Sequence, residues 1–258
     1  MAWDSGQYLK FEVERTQPAR DLAARIAVGD VRDVLDVGCG PGNSSRVLAE
    51  RFPGARVRGI DSSPEMIAAA AAKHGDLEFS LCDAGKDLGK LGRTFDVVFS
   101  NACIQWIPDH PKLVRDMLGL LRPGGVLAVQ TPMNYDEPIH KIIAGLVAGE
   151  KWQGAFASPR IFYNLRPGEY FDLLAEAAGD FTLWQTTYYH VLRSHADIME
   201  WYRGTGLRPY LSALPEADRA AFEADVFAEV ITQYPKQRDG RIIFRFPRFF
   251  FTARPKAA

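Results

Sequence analysis

Residues 31–42, VRDVLDVGCGPG, decide the fold. Val34, Leu35 and Val37 form the short apolar run of a fully buried strand. Gly38, Gly40 and Gly42 then remove every second side chain where that strand ends. Behind them comes SSRVLAERF, with Val47, Leu48 and Phe52 at helical spacing. A strand, a glycine turn and a helix in that order build a nucleotide pocket lined by backbone.

Outward from this stretch the chain alternates. The spacing predicts a helix over 16–26 and a strand over 31–37, with the helix behind the turn ending at Pro53-Gly54. Residues 56–60 read as a second strand that runs into Asp61-Ser62-Ser63-Pro64. There Ser63 reads as an N-cap and Pro64 as the first helical residue. Further strands are expected at 77–81, 95–100 and 126–130, with a helix at 112–121 and a turn at 122–125. Strands and helices alternating at this spacing predict an α/β protein with a parallel sheet of βαβ units. After Thr131 the rhythm changes. Residues 137–149, 168–178, 195–204 and 216–233 read as helices, 181–191 and 241–252 as strands able to pair antiparallel at the sheet edge. The segment 135–165 reads as an insertion or lid over the strand ends. The expected organisation is one domain over 1–258: an N-terminal helical lid (1–30), a cofactor-binding core (31–134) and a substrate cap (135–258).

Composition narrows the class. At 258 residues and 47% hydrophobic content the chain can bury a large core, and its formal net charge of −1 argues against a nucleic-acid partner. Cys39, Cys82 and Cys103 form no CxxC pair, which predicts reduced thiols, no metal site and a cytoplasmic setting. No basic-then-apolar leader and no apolar run of membrane-spanning length is visible, so no membrane partner is expected. Oligomeric state is not encoded in any feature of this kind.

Ligands of an open parallel sheet bind outside the carboxyl ends of its strands. Asp36, Asp61, Asp83 and Asn101 stand at four such ends. An acid after the second strand suits a ribose diol, and one after the third suits an adenine amino group. Each alone also reads as a helix cap; together they favour an adenosine ligand. A dinucleotide asks for GxGxxG, but here Asn43 stands at the third glycine's place and the turn carries no cation. An acid before the turn, Asp36, favours a cationic ligand over a diphosphate.

DVGCGPG, GIDSSPEMI, the acid in Cys82-Asp83-Ala84, SNACIQWIPDH and LLRPGGVLAVQ resemble the successive motifs of the class I S-adenosylmethionine-dependent methyltransferases. The resemblance implies a doubly wound, Rossmann-like, mostly parallel seven-stranded sheet with helices on both faces and a helical cap over the active site. It implies S-adenosylmethionine as cofactor, S-adenosylhomocysteine as product and no metal. Asp36, Gly38 and Gly40 would hold the methionine end and the turn. Asp61 would take the ribose hydroxyls, with Ser62 and Met66 beside the adenosine, although an apolar residue at a helix start such as Met66 is more often core. Asp83 and Ala84 would meet the adenine edge, Asn101 the amino-acid part, and Gln105 or Trp106 would wall the methyl group. Further segments, YLKFEVERTQPA, TTYYHVL, TGLRPYL and FRFPRFFFTAR, resemble the branch of the family that O-methylates a small tricarboxylic acid.

A carboxylate acceptor is already ionised at neutral pH, so no catalytic base is expected, only positioning. The acceptor's other carboxylates call for arginines, whose planar fork grips a carboxylate with two hydrogen bonds. Arg15, Arg160, Arg166, Arg193, Arg203, Arg208, Arg241, Arg245 and Arg248 are candidates. Arg208 stands out because 206–210 reads as a turn flanked by aromatics, and Arg15 because its segment is aromatic. Tyr8, Tyr188, Tyr189 and His190 would add hydrogen bonds, with Tyr188 and His190 on one face of an extended segment. His190 also reads as a structural histidine. Other acids or a hydroxyl acceptor, for which His190 or Tyr189 would serve as base, a nicotinamide-dependent oxidoreductase, and a non-catalytic adenosyl-binding module are the competing readings.

Overall fold

The computed structural model describes residues 12–156, 162–203 and 206–256; Tyr8 and Arg160 lie outside them. Seven strands form one sheet: β1 (Asp33–Val37), β2 (Arg56–Asp61), β3 (Glu78–Leu81), β4 (Phe95–Asn101), β5 (Leu121–Pro132), β6 (Ala178–Leu192) and β7 (Ile242–Pro255). Their order is β3-β2-β1-β4-β5-β7-β6. The β1–β2, β2–β3, β1–β4 and β4–β5 pairs are parallel, and β5–β7 is antiparallel. The strand order reverses between β1 and β4, which opens a crevice at their carboxyl ends. All five β1 side chains are buried, as a strand covered on both faces requires.

The described α-helices are α1 (Glu12–Ala24), α2 (Asn43–Arg51), α3 (Pro64–Lys73), α4 (His110–Gly119), α5 (Pro138–Ala148), α6 (Pro167–Ala177), α7 (His195–Arg203), α8 (Arg208–Ala213) and α9 (Glu216–Gln233). The expected Ser63 cap is present: its Oγ accepts from Met66 N at 3.3 Å, with Pro64 following.

One expectation is corrected. Residues 122–125 are not a free turn. They bulge within β5, because the register slips between Phe95↔Leu121 and Val97↔Val126. Gly124 takes φ +80°, while the Arg122 guanidinium donates to Asp33 at 2.6 Å and to Asp96 at 3.0 Å. These bonds pin the bulge to the feet of β1 and β4, so the turn chemistry serves a strand. The late strands pair antiparallel at the sheet edge, as expected, although a long helical stretch and not a tight turn joins them. β7 inserts between β5 and β6, which leaves β6 as the edge strand on that side. Gly179 faces Pro255, Trp184 stacks on Phe250 and His190 on Phe244, so β6 and β7 run in opposite directions.

Two compact units emerge. One comprises Arg15–Pro132, Phe162–Thr186 and Arg248–Ala258; its core is the sheet's own apolar run, with Leu35, Val37, Val98 and Leu127 wholly buried. Burying each such side chain contributes about 1.5–3 kcal/mol. Among the described residues, the other includes those within Met133–Ile161 and Thr187–Pro247. In it α5, α7 and α9 gather Ile139, Trp201, Phe222, Val226 and Phe244 into an aromatic-rich core. Trp152 closes that core edge-on against Phe222 and donates to Asp225 at 2.7 Å.

Candidate functional site

The turn after β1 is held from β2. Gly38 N and Cys39 N both donate to Ile60 O, at 2.8 and 3.0 Å. Gly38, Gly40 and Gly42 have φ of +74°, +53° and +87°, values that glycine adopts without strain. Their surroundings differ. A Cβ on Gly38 would lie 2.1 Å from Cys103 Sγ, and one on Gly42 would lie 2.7 Å from the His74 ring. One on Gly40 would meet nothing within 4 Å. Gly38 and Gly42 are therefore closed by packing, and Gly40 is the glycine a ligand can approach.

Asp61, at the end of β2, accepts from Gly40 N at 3.0 Å through Oδ2 and from Ser63 N at 2.9 Å through Oδ1. A carboxylate has about four lone-pair positions, so both oxygens retain capacity for a diol. Asp83 lies one strand further out, beyond Cys82, whose N–H donates to Asp61 O. Lys86 at 2.7 Å and the Gly85 N–H hold the Asp83 carboxyl below the usual carboxylate range. Ala84 is buried beside it, Ser62 is exposed and Met66 is half-buried.

Asp36 is wholly buried; its Oδ2 accepts from Ser44 and Ser45 hydroxyls at 2.6 and 2.7 Å. Burial pushes its carboxyl up to about 6, and the two serines pull in the other direction. Its Oδ1 and the Oδ1 of Asn101 are buried with no hydrogen-bond partner.

After β4, Gln105 is committed to the protein. Its Nε2 donates to Ala102 O at 2.7 Å, Thr131 Oγ1 stands 3.3 Å from its Oε1, and its carbonyl accepts from Tyr163 N. Trp106 is 47% exposed, with its ring 5.2 Å from that of Phe162. Of the two residues expected beside the methyl group, Gln105 shapes the loop and Trp106 presents a face. The same loop is locked from behind by His110, whose Nε2–H donates to Ile104 O at 2.9 Å while Nδ1 accepts from Tyr170 Oη at 2.7 Å. Burial holds the His110 imidazole below its ordinary pKa, which favours this neutral form.

Of the acceptor-side candidates, Arg15 lies half-buried on α1 in the sheet-bearing unit. Tyr188, Tyr189, His190 and Arg208 lie in the other unit. Tyr188 and His190 share one face, ring centroids 6.4 Å apart, and Tyr189 is 60% exposed. His190 sits against Trp201 at 4.6 Å and Phe246 at 6.0 Å. Arg208 differs from its expected setting: it opens α8 and is exposed, because Pro209 is accommodated in the first turn of a helix. Arg203 pairs with Glu223 and Arg241 with Asp239. Arg248 is buried on β7.

Sequence reasoning missed Gln130, Thr131 and Asn164. Thr131 Oγ1 stands 2.9 Å from Asn164 Oδ1, and Asn164 Nδ2 donates to Pro132 O, which ties residue 164 to the end of β5. The available signal was a glutamine closing the apolar run VLAV. Among the described residues no cluster of three or more His, Cys, Asp or Glu is placed to hold a metal, and no helix is long and apolar enough to cross a membrane. All three cysteines carry free thiols.

Residues 34–125 match a family model described as a methyltransferase domain. A trans-aconitate 2-methyltransferase of Azoarcus sp. (strain BH72) is 46% identical over 252 residues, covering 97% of this chain and 98% of its own. One from Rhodopseudomonas palustris (strain BisB18) is 43% identical over 256 residues, with the same coverage. Among solved structures, the YcgJ protein of Bacillus subtilis superposes with a TM-score of 0.60 at 14% identity, covering 94% of this chain and all of its own.

Proposed function

The chain belongs to the trans-aconitate 2-methyltransferase family of S-adenosylmethionine-dependent methyltransferases, and on that premise we propose that it esterifies one carboxylate of trans-aconitate in the cytoplasm. The observation that carries this reading is the row of acids at the ends of β1, β2 and β3 around a turn that lacks any cation. Such a row repels a diphosphate and suits an adenosyl ligand bearing positive charge. The orphaned Asp36 and Asn101 oxygens and the open side of Gly40 fit that ligand.

When bound, S-adenosylmethionine supplies a methyl group already activated on a sulfonium. Asp61 would accept from its ribose hydroxyls, with Ser62 and Met66 alongside, and Asp83 and Ala84 would meet the adenine edge. Asp36, Asn101, Gly38 and Gly40 would hold its amino-acid end, and Gln105 holds the loop from which Trp106 would wall the methyl. For the acceptor, the planar fork of Arg208 or of Arg15 would grip a carboxylate that does not react, and Tyr8, Tyr188, Tyr189 and His190 are the candidates for added hydrogen bonds. An ionised carboxylate needs no proton removed, so these residues orient it and strip its water.

The test is a panel of di- and tricarboxylic acids with labelled methyl donor, beside calorimetric titration of S-adenosylhomocysteine and NAD. Methylation of trans-aconitate and binding of S-adenosylhomocysteine alone are expected. Binding of NAD alone, or transfer to none of the acids, would overturn the reading.

A further inference from the structure

Gln130 is wholly shielded from solvent, yet neither its Oε1 nor its Nε2 has a hydrogen-bond partner. Native interiors pair such groups with protein, ordered water or ligand, because an unpaired buried amide is destabilising. The position of this one on the sheet indicates what the partner is.

Gln130 on β5 stands in register with Asn101 on β4, and two residues earlier the register runs Ala128–Phe99–Asp36. Side chains two apart on a strand share a face, so Asp36, Asn101 and Gln130 all leave the sheet on the same side. Each holds a buried polar atom with no partner. The orphaned groups thus step from β1 to β4 to β5, about 4.8 Å per strand. Asp83 and Asp61, assigned to adenine and ribose, lie on the opposite side of β1, beyond β3 and at the end of β2. A cofactor held by these residues would run from β3 towards β4, and one further strand reaches Gln130.

We propose that Gln130 is an acceptor-binding residue whose Nε2–H donates to a carboxylate oxygen of the acid being methylated. The residue type suits the place. A carboxylate there would repel the acid, and an ammonium would repel the sulfonium. A neutral amide presents a donor to the anion and a partial negative charge to the cation. The proposal rests on the carboxylate-methyltransferase reading above.

Gln130→Met and Gln130→Glu test it. Gln130→Met is expected to raise KM for trans-aconitate about tenfold or more, the loss of a hydrogen bond to a charged group, with S-adenosylhomocysteine affinity unchanged. Gln130→Glu is expected to raise it further through like-charge repulsion. An unchanged KM in Gln130→Met, or an equal loss of S-adenosylhomocysteine affinity, overturns the proposal. Failure of the underlying reading looks different, since the unmodified protein would then methylate no carboxylate. Should either substitution prevent folding, the side-chain amide resonance of Gln130 in the ¹⁵N-labelled protein decides. It should shift when trans-aconitate is added to the S-adenosylhomocysteine complex, and no shift there refutes the assignment.

Discussion

Asp61 Oδ2 accepts a hydrogen bond from Gly40 N at 3.0 Å, so the acid ending β2 braces the glycine turn that ends β1. Its other oxygen caps Ser63 N at 2.9 Å. Asp61→Ala leaves both N–H groups without this acceptor and should cost about 1–3 kcal/mol of stability. It should also weaken S-adenosylhomocysteine binding about tenfold or more, through the lost ribose contact. Asp61→Asn retains one acceptor oxygen and should fall between. Denaturant titration and calorimetry measure the two effects.

Gly38 and Gly40 should respond differently to alanine. Gly38→Ala drives a Cβ to 2.1 Å from Cys103 Sγ and 2.4 Å from Cys103 Cβ, besides straining a φ of +74°. A loss of about 2–4 kcal/mol is expected. Adding Cys103→Gly removes both clashing atoms and should recover the steric part, leaving about 1–2 kcal/mol of backbone strain. Gly40→Ala meets no atom within 4 Å, so it should cost only that strain while lowering cofactor affinity. Thermal melts with and without S-adenosylhomocysteine separate the cases.

Asp36 predicts a pH dependence of stability. Burial raises its carboxyl from 3.8 to about 6 in the folded protein. Between these values the folded state holds a proton that the unfolded state has lost. Stability therefore falls as pH rises from about 4 to 6, by about 3 kcal/mol from this group, and is level with respect to it above. Asp36→Asn should abolish that slope in denaturant titrations. A cationic ligand favours the ionised form, so S-adenosylmethionine affinity should rise through about pH 6 more steeply than that of uncharged-sulfur S-adenosylhomocysteine.

With no base in the mechanism, kcat for trans-aconitate should be flat from about pH 7 to 9, since acceptor carboxylates titrate at roughly 4. His190→Phe preserves the aromatic packing against Trp201 and should keep kcat within about threefold, as should Tyr189→Phe. A loss of about 10²-fold or more in either would reveal a general base and a different acceptor chemistry.

Arg208→Lys keeps the charge and removes the planar fork. Because Arg208 is exposed at the start of α8, stability should move by less than about 0.5 kcal/mol. KM for trans-aconitate should rise about tenfold with kcat little changed, consistent with loss of one charge-assisted hydrogen bond. Unaltered KM would remove Arg208 from the anion clamp.

Much of the sheet-bearing unit is legible in the amino-acid sequence. The apolar run at 34–37, the three glycines and Ser63-Pro64 each carry a local signal, because strand periodicity, positive φ and capping depend on residues a few positions apart. Strand ends follow, and with them the placement of Asp36, Asp61, Asp83 and Asn101. The signal fails where local chemistry serves a distant partner. Arg122-Pro123-Gly124-Gly125 has every mark of a turn, yet Asp33 and Asp96 recruit it into a bulge. Gly206-Leu207-Arg208-Pro209 likewise turns directly into a helix.

The sequence alone thus determined the β1 turn, the acids around it and the preference for a cationic adenosyl ligand over a diphosphate, all consequences of backbone and charge within short spans. Only tertiary structure decided that β7 inserts between β5 and β6, that Gly40 and not Gly38 faces open space, that Gln105 is spent on its own loop, and that Gln130 is buried without a partner. Each of those depends on which distant strand or loop arrives beside the residue. Long-range pairing selects that neighbour, and no periodicity along the chain encodes it.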